Sequence, residues 1–191
     1  MLGNYENVIV VDWGTTNFRA FLLDSTKQVV SSTESKSGLL SVINGGYADA
    51  LESLLAAWQP DYKHFPVIMA GMVGSAKGWF AVEYLPTPAS ITDVYQGLFS
   101  FELPWAQQAL IVPGICHNKA LGYDVMRGEE VQVFGLAKIL MKNNFDAIFP
   151  GTHSKHVSFK NMHIDQFSTF MTGELFSMLV EHSILGKDIP A

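Results

Sequence analysis

The first forty residues alternate short apolar runs with polar breaks. Val8-Ile9-Val10-Val11 is β-branched and ends in Asp12, which predicts a strand buried on both faces. Gly14-Thr15-Thr16-Asn17 predicts a turn, residues 18–23 a second strand closed by Asp24-Ser25-Thr26, and residues 28–35 a third, more polar strand. This is a strand–turn–strand meander, not the strand–loop–helix of a Walker-type nucleotide site. Tyr47, Leu51, Leu54, Leu55 and Trp58 then recur at helical spacing, and Gln59-Pro60 ends that helix. Residues 66–70 read as another buried strand running into Gly71-Met72-Val73-Gly74-Ser75. Residues 86–104 are proline-punctuated and irregular, which predicts mostly loop, and residues 109–112 form a strand ended by Pro113-Gly114.

A helix is expected after Arg127-Gly128, with Val133, Leu136, Ala137 and Leu140 on its apolar face and Asn143-Asn144 at its end. Residues 146–149 predict a strand, Pro150-Gly151-Thr152 a turn, residues 153–159 and 163–170 two more strands, and a last helix runs from near Thr172 to about Leu185. The second half thus restarts the pattern of the first, a weak internal repeat centred on residues 12–16 and 150–154. One helix after the second meander is too little to bury its sheet, so the second unit is expected to be incomplete. The expected fold class is α/β, with domains at 1–142 and 146–191.

Composition narrows the function classes. Hydrophobic residues make up 48% and charged residues 16%, enough for a packed core and unlike a disordered chain. The net charge of −6, with no basic run, argues against a nucleic-acid or anionic-membrane surface, although backbone amides and a few fixed cations can still bind anions locally. A lone cysteine, Cys116, allows no intramolecular disulfide and fits a reducing compartment; it is expected to be a small buried apolar residue. With no basic-then-apolar leader among the first residues and no apolar run long enough to span a bilayer, the expectation is a soluble, cytoplasmic protein.

Four segments carry candidate chemistry. In Asp12-Trp13-Gly14-Thr15-Thr16-Asn17 the glycine allows close backbone approach, Thr15, Thr16 and Asn17 offer N–H and polar side-chain groups to phosphate oxygens, and Asp12 is suited to hold Mg²⁺ through water. The segment from Gly151 through Thr152, His153, Ser154 and Lys155 repeats that chemistry with a cation added, and two such turns could clamp a nucleotide polyphosphate. Arg127-Gly128-Glu129-Glu130 opens a helix. Its carboxylates read either as caps favoured by the helix dipole or as a general base, and Arg127 as a bidentate partner for a substrate carboxylate or a structural ion-pair member. Gly74, Ser75, Lys77 and Trp79 lie in a glycine-rich loop after a buried strand, which reads either as a tight loop or as room for a ligand whose hydroxyls or carboxylate Ser75 and Lys77 could bond. His153 and His156, three apart on a strand, fall on opposite faces and do not form a zinc pair. Thr172-Gly173-Glu174 reads as a helix cap.

The order of these motifs, DWGTTN, GMVGS followed by GW, MRGEE, PGTHSK and MTGEL, resembles the 2-dehydro-3-deoxygalactonokinase family, from about Val8 to the C-terminus. The resemblance implies an actin-like ATPase fold of two ribonuclease-H-type domains. It also implies transfer of the ATP γ-phosphoryl group to the 6-hydroxyl of 2-dehydro-3-deoxy-galactonate, with ATP and Mg²⁺ required. It places Asp12 at the first phosphate motif, Gly151 and Thr152 at the second, and Glu129 at the catalytic base, with Glu130 in reserve. Val131 departs from an expected threonine and His156 from an expected tryptophan. The family continues past Ala191 with an adenosine-binding segment, so the chain is expected to be part of a longer kinase. The partners expected are a sugar acid and a nucleotide, with a homodimer possible. A non-catalytic sugar-acid-binding module is the alternative reading, and a polyphosphate-directed enzyme is disfavoured by the acidic charge.

Overall fold

A computed structural model describes residues 5–119 and 122–186. By compactness the chain divides into two units, one of residues up to Leu85 together with Thr92–Gly114, the other of Pro86–Ile91 together with residues from Ile115 onward.

In the first unit, β1 (Val8–Trp13), β2 (Phe18–Leu23) and β3 (Val29–Ser35) form an antiparallel meander, with Trp13 opposite Phe18 and Asp12 opposite Arg19. Helix α1 (Tyr47–Trp58) follows, and then β4 (Val67–Ala70), which pairs parallel to β1 with Ala70 beside Asp12. Side chains alternate across the sheet, so Ile9, Val11 and Trp13 of β1 and Phe18, Ala20 and Leu22 of β2 reach the same core as Leu51 and Leu55 of α1. Each buried leucine contributes about 1.5–3 kcal/mol. Val10 and Asp12, on the opposite face, are only half-buried. The strand is therefore buried fully on one face, not on both as its unbroken apolar run implied.

The chain leaves this unit through β5 (Leu85–Pro86), passes β6 (Ala89–Ser90) and α2 (Ile91–Gln96), and returns with β7 (Phe99–Glu102) and β8 (Gln108–Ile111). Strand β8 pairs parallel to β4 and β7 antiparallel to β8, giving the sheet order β3-β2-β1-β4-β8-β7. A three-stranded antiparallel meander continued by parallel strands, with α1 against it, is a ribonuclease-H-like domain. Residues 86–104 were expected to be mostly loop. The structure instead finds two strands and a helix there; Phe99-Ser100-Phe101-Glu102 of β7 does alternate, but over four residues only, and β6 and α2, at two and six residues, are too short for a period to show.

In the second unit, β9 (Ile115–Lys119) and β10 (Gly122–Met126) form an antiparallel hairpin that the sequence had not indicated. Cys116, expected to be buried, is half-buried on β9. Helix α3 (Glu129–Leu140) buries Glu130, Val133 and Ala137, while Leu140 is exposed. Strands β11 (Phe145–Phe149), β12 (His153–Lys160) and β13 (His163–Met171) repeat the antiparallel meander, β6 pairs with β13, and α4 (Gly173–His182) follows. The boundary expected at 142–146 falls inside this unit. Phe134 of α3 meets Phe159 of β12 edge-on at 5.8 Å, so α3 is part of the second core and not of the first. No helix among the described residues is long and apolar enough to cross a membrane.

Candidate functional site

The turn between β1 and β2 hangs on a buried tryptophan. Trp13 packs edge-on against Phe18, and its indole N–H donates to the Ser37 carbonyl at 3.1 Å. Gly14 N–H closes the turn on Asn17 O at 2.9 Å. The segment after β3 then lies along the turn as a strap: the amides of Gly38, Leu39 and Leu40 donate to the carbonyls of Thr16, Gly14 and Thr15 at 2.9, 3.0 and 3.1 Å. Three turn carbonyls are thereby consumed. The amides of Thr15, Thr16 and Asn17, all three residues exposed, find no partner among the described residues. Such a run of unpaired N–H groups is an anion cradle. A Cβ on Gly38 would lie 2.3–2.5 Å from the Thr15–Thr16 backbone, so only glycine lets the strap approach.

Asp12 is half-exposed at the end of β1, with Oδ2 3.4 Å from Arg19 Nη1, and Arg19 also reaches Glu34 at 3.7 Å. Beside it, Gly71 has φ +92°, and a Cβ there would press on Asp12 Oδ1 and Trp13 O at 3.2 and 2.9 Å. Arg19, Ser37 and Gly38 were not among the sequence candidates. Arg19 could have been found, since a turn at 14–17 pairs 13 with 18 and hence 12 with 19.

The loop after β4 is more closed than expected. Gly74 and Ser75 are buried, and Ser75 Oγ accepts the Lys77 amide at 3.3 Å, so both shape the loop and offer no surface to a ligand. Lys77 is exposed. Trp79 is half-buried and stacks on Tyr47 at 6.1 Å, and the Tyr47 hydroxyl donates to Lys77 O at 3.0 Å. Only Lys77 and Trp79 of the four candidate residues reach the surface.

In the second unit the turn between β11 and β12 is strapped in the same way. Gly151 O accepts Gly173 N–H at 3.2 Å and Thr172 Oγ1 at 3.1 Å, and Thr152 O accepts Glu174 N–H at 3.1 Å. Thr172 therefore does not cap α4 with its side chain as expected; its hydroxyl bonds the turn and Ser154 Oγ, at 2.8 Å. Gly173 is again needed for approach, since a Cβ would meet Gly151 O at 2.7 Å. Exposed His153 pairs through Nε2 with Glu174 Oε2 at 2.5 Å. Lys155 does not face the turn's surface. It is 8% exposed, and its Nζ donates to Val125 O at 2.5 Å and Thr169 Oγ1 at 2.7 Å, with Asp124 Oδ1 at 3.9 Å.

Gly14 and Gly151 themselves differ from their straps. Neither has a positive φ, and a Cβ on either would make only ordinary contact, at 3.5 Å. The fold needs no glycine at these two positions.

At the start of α3 the two carboxylates separate. Glu130 is fully buried and takes Gly128 N–H on both oxygens, at 2.9 and 2.7 Å, while Gly128 sits at φ +112°. Burial pushes its carboxyl up to about 8, against the backbone hydrogen bonds that favour the anion; neighbouring Glu129 adds to the rise and Arg127 opposes it. Glu129 is half-exposed and accepts Arg127 N–H at 3.2 Å. Arg127 is 8% exposed. The arrangement offers one carboxylate that solvent or a ligand can reach, backed by one that holds its proton near neutrality.

A sequence model of the 2-keto-3-deoxy-galactonokinase family matches residues 12–191. A protein of Rhizobium meliloti assigned as 2-dehydro-3-deoxygalactonokinase is 35% identical over 179 residues, 94% of this chain and 58% of its own length. The 2-dehydro-3-deoxygalactonokinase of Escherichia coli is 35% identical over 182 residues, 95% of this chain and 59% of its own length. A crystal structure from Sinorhizobium meliloti, assigned to the same activity, superposes with a TM-score of 0.85 at 34% identity over 93% of this chain and 58% of that one. The chain thus spans about three-fifths of the length of the curated relatives it matches. With the family model matched over residues 12–191 and two relatives 35% identical over nearly all of it, the chain belongs to the 2-keto-3-deoxy-galactonokinase family.

Proposed function

We propose that this chain carries the phosphate-handling and sugar-acid residues of a kinase that phosphorylates the 6-hydroxyl of 2-dehydro-3-deoxy-galactonate with MgATP. The observation that carries this reading is that Gly14 and Gly151 are glycines the fold itself does not require. A residue with no side chain, beside unpaired amides in the case of Gly14, leaves room for something outside the protein to approach the backbone.

The residues present fit the groups implied. Asp12, half-exposed beside the Thr15–Asn17 amides, supplies one carboxylate, and Mg²⁺ is commonly held by one or two carboxylates together with substrate phosphates and water. When bound, MgATP supplies the phosphoryl group and the charge that stabilises its transfer. The amides of Thr15, Thr16 and Asn17 in the first unit would bind phosphate oxygens, and the Gly151–Thr152 turn of the second unit, taken by itself, offers backbone of the same kind. Glu129 accepts the proton of the attacking hydroxyl; Glu130, protonated near neutral pH, cannot. Exposed Lys77 pairs with the carboxylate of the sugar acid, and Trp79 packs against its carbon chain. The acidic charge and the single cysteine are in keeping with a cytoplasmic metabolic enzyme.

The test is Glu129→Gln in the full-length protein. Turnover falls by about two to four decades, while calorimetric titration with 2-dehydro-3-deoxy-galactonate gives a near-normal affinity. Retained turnover would remove Glu129 from the base role.

A further inference from the structure

Lys155 is a sequence candidate for phosphate binding that the fold puts to another use. It follows the Gly151–Ser154 turn directly, yet its side chain runs inward to β10. There Nζ donates to the carbonyl of Val125 and to Thr169 Oγ1, and the remaining charge lies 3.9 Å from Asp124 Oδ1. Asp124 is fixed in turn, with Oδ2 accepting Thr169 N–H at 2.8 Å and Oδ1 accepting Thr169 Oγ1–H at 2.5 Å. An ammonium nearly out of water is tolerated only where such partners surround it.

Val125 is the point that gives this cluster a functional meaning. Two residues further along the chain stands Arg127, and four further stands Glu129, with only buried Met126 and the left-handed Gly128 between. On the other side, Ser154, adjacent to Lys155, is hydrogen-bonded to Thr172, which holds the Gly151 carbonyl. Hydrogen bonds at both ends of the Ser154–Lys155 segment therefore tie the glycine turn to the end of β10, from which the chain runs directly into α3, with Lys155 at the centre.

We propose that Lys155 is a positioning residue that locks the Arg127–Glu129 helix start to the Gly151–Ser154 turn, so that the general base and the phosphate-binding turn keep a fixed spacing. The inference rests on the reading of Glu129 as base. Lys155 touches no substrate. It acts through the Val125 carbonyl, and Asp124 and Thr169 hold it in place.

The test is Lys155→Met in the full-length protein, with Thr169→Val as a milder variant that deletes one hydroxyl and keeps the strand. Hydrogen exchange of the peptide covering Met126–Glu130 should quicken at least tenfold in Lys155→Met and about threefold in Thr169→Val, while α1 in the first unit is unchanged. In parallel kcat should drop at least tenfold in Lys155→Met with KM for ATP within threefold of wild type, whereas a direct phosphate ligand would raise that KM. Unchanged exchange at 126–130, a rise spread evenly over the chain, or a change confined to KM each overturns the proposal. If Glu129→Gln retains turnover, the base reading falls by itself, and the exchange measurement still decides whether Lys155 forms the link.

Discussion

The two glycine turns solve one problem with opposite charges nearby. Each joins the first two strands of an antiparallel meander. Each has its carbonyls taken by the segment that follows the third strand, and each strap carries a glycine, Gly38 or Gly173, that comes too near for a Cβ. The first turn has a carboxylate at its strand end, Asp12, facing outward beside Arg19. The second has no acid there. It is followed by His153, paired with Glu174, and then by a lysine, Lys155, turned inward and committed to β10. The backbone geometry is shared and the side chains differ, and on the reading proposed above that difference would give metal holding to the first turn and positioning of the base to the second.

The sharpest test of that division is Asp12→Asn, which keeps shape and hydrogen bonding but removes the charge. Turnover should fall by about two to three decades, with the Mg²⁺ concentration for half-maximal rate raised and Tm nearly unchanged, because the Arg19 pair is too exposed to contribute more than about 1 kcal/mol. A normal Mg²⁺ dependence would erase the contrast between the turns.

Glu130 gives the next largest effect. Its folded-state carboxyl, pushed up to about 8 from an ordinary value near 4.5, binds its proton more tightly than the unfolded chain does. Stability is therefore greatest on the acid side and is lost as pH rises through the interval between those two values, at up to about 1.4 kcal/mol per pH unit. Urea unfolding of wild type and Glu130→Gln at pH 5, 6.5 and 8 should show the wild type losing ground to the variant at each step, by a few kcal/mol in all. Parallel curves would mean that Glu130 is ionised in the fold.

The smallest effects come from the glycines, and they separate turn from strap. Gly38→Ala and Gly173→Ala should destabilise by about 1–3 kcal/mol, since backbone must move to admit the methyl. Gly14→Ala and Gly151→Ala should leave Tm within a degree or two and instead weaken MgATP binding in calorimetry. A stable Gly38→Ala, or a Gly14→Ala with normal nucleotide affinity, would break the parallel.

Much of this was legible in the sequence where local pattern decides. The two meanders, α1, α3 and α4 follow from apolar periodicity and from glycine at the turns, and the motif order was enough to name the family. The straps were less visible, although a Ser-Gly and a Thr-Gly pair stand at the same place after the third strand of each meander, at Ser37-Gly38 and Thr172-Gly173. The hairpin of β9 and β10 left no clear period, because its residues are mixed in polarity and pair mainly through backbone.

By itself, then, the sequence determined which segments become strands, where the glycines interrupt them, and which family the chain joins, since these depend on neighbours within a few residues. The tertiary structure decided which polar groups remain available. It buried Glu130 and left Glu129 reachable, turned Lys155 inward to β10, sealed Ser75 within its loop, and moved α3 into the second unit. Burial and hydrogen-bond partners are set by residues distant in the chain, thirty positions away in the case of Lys155 and Val125, and no local pattern records them.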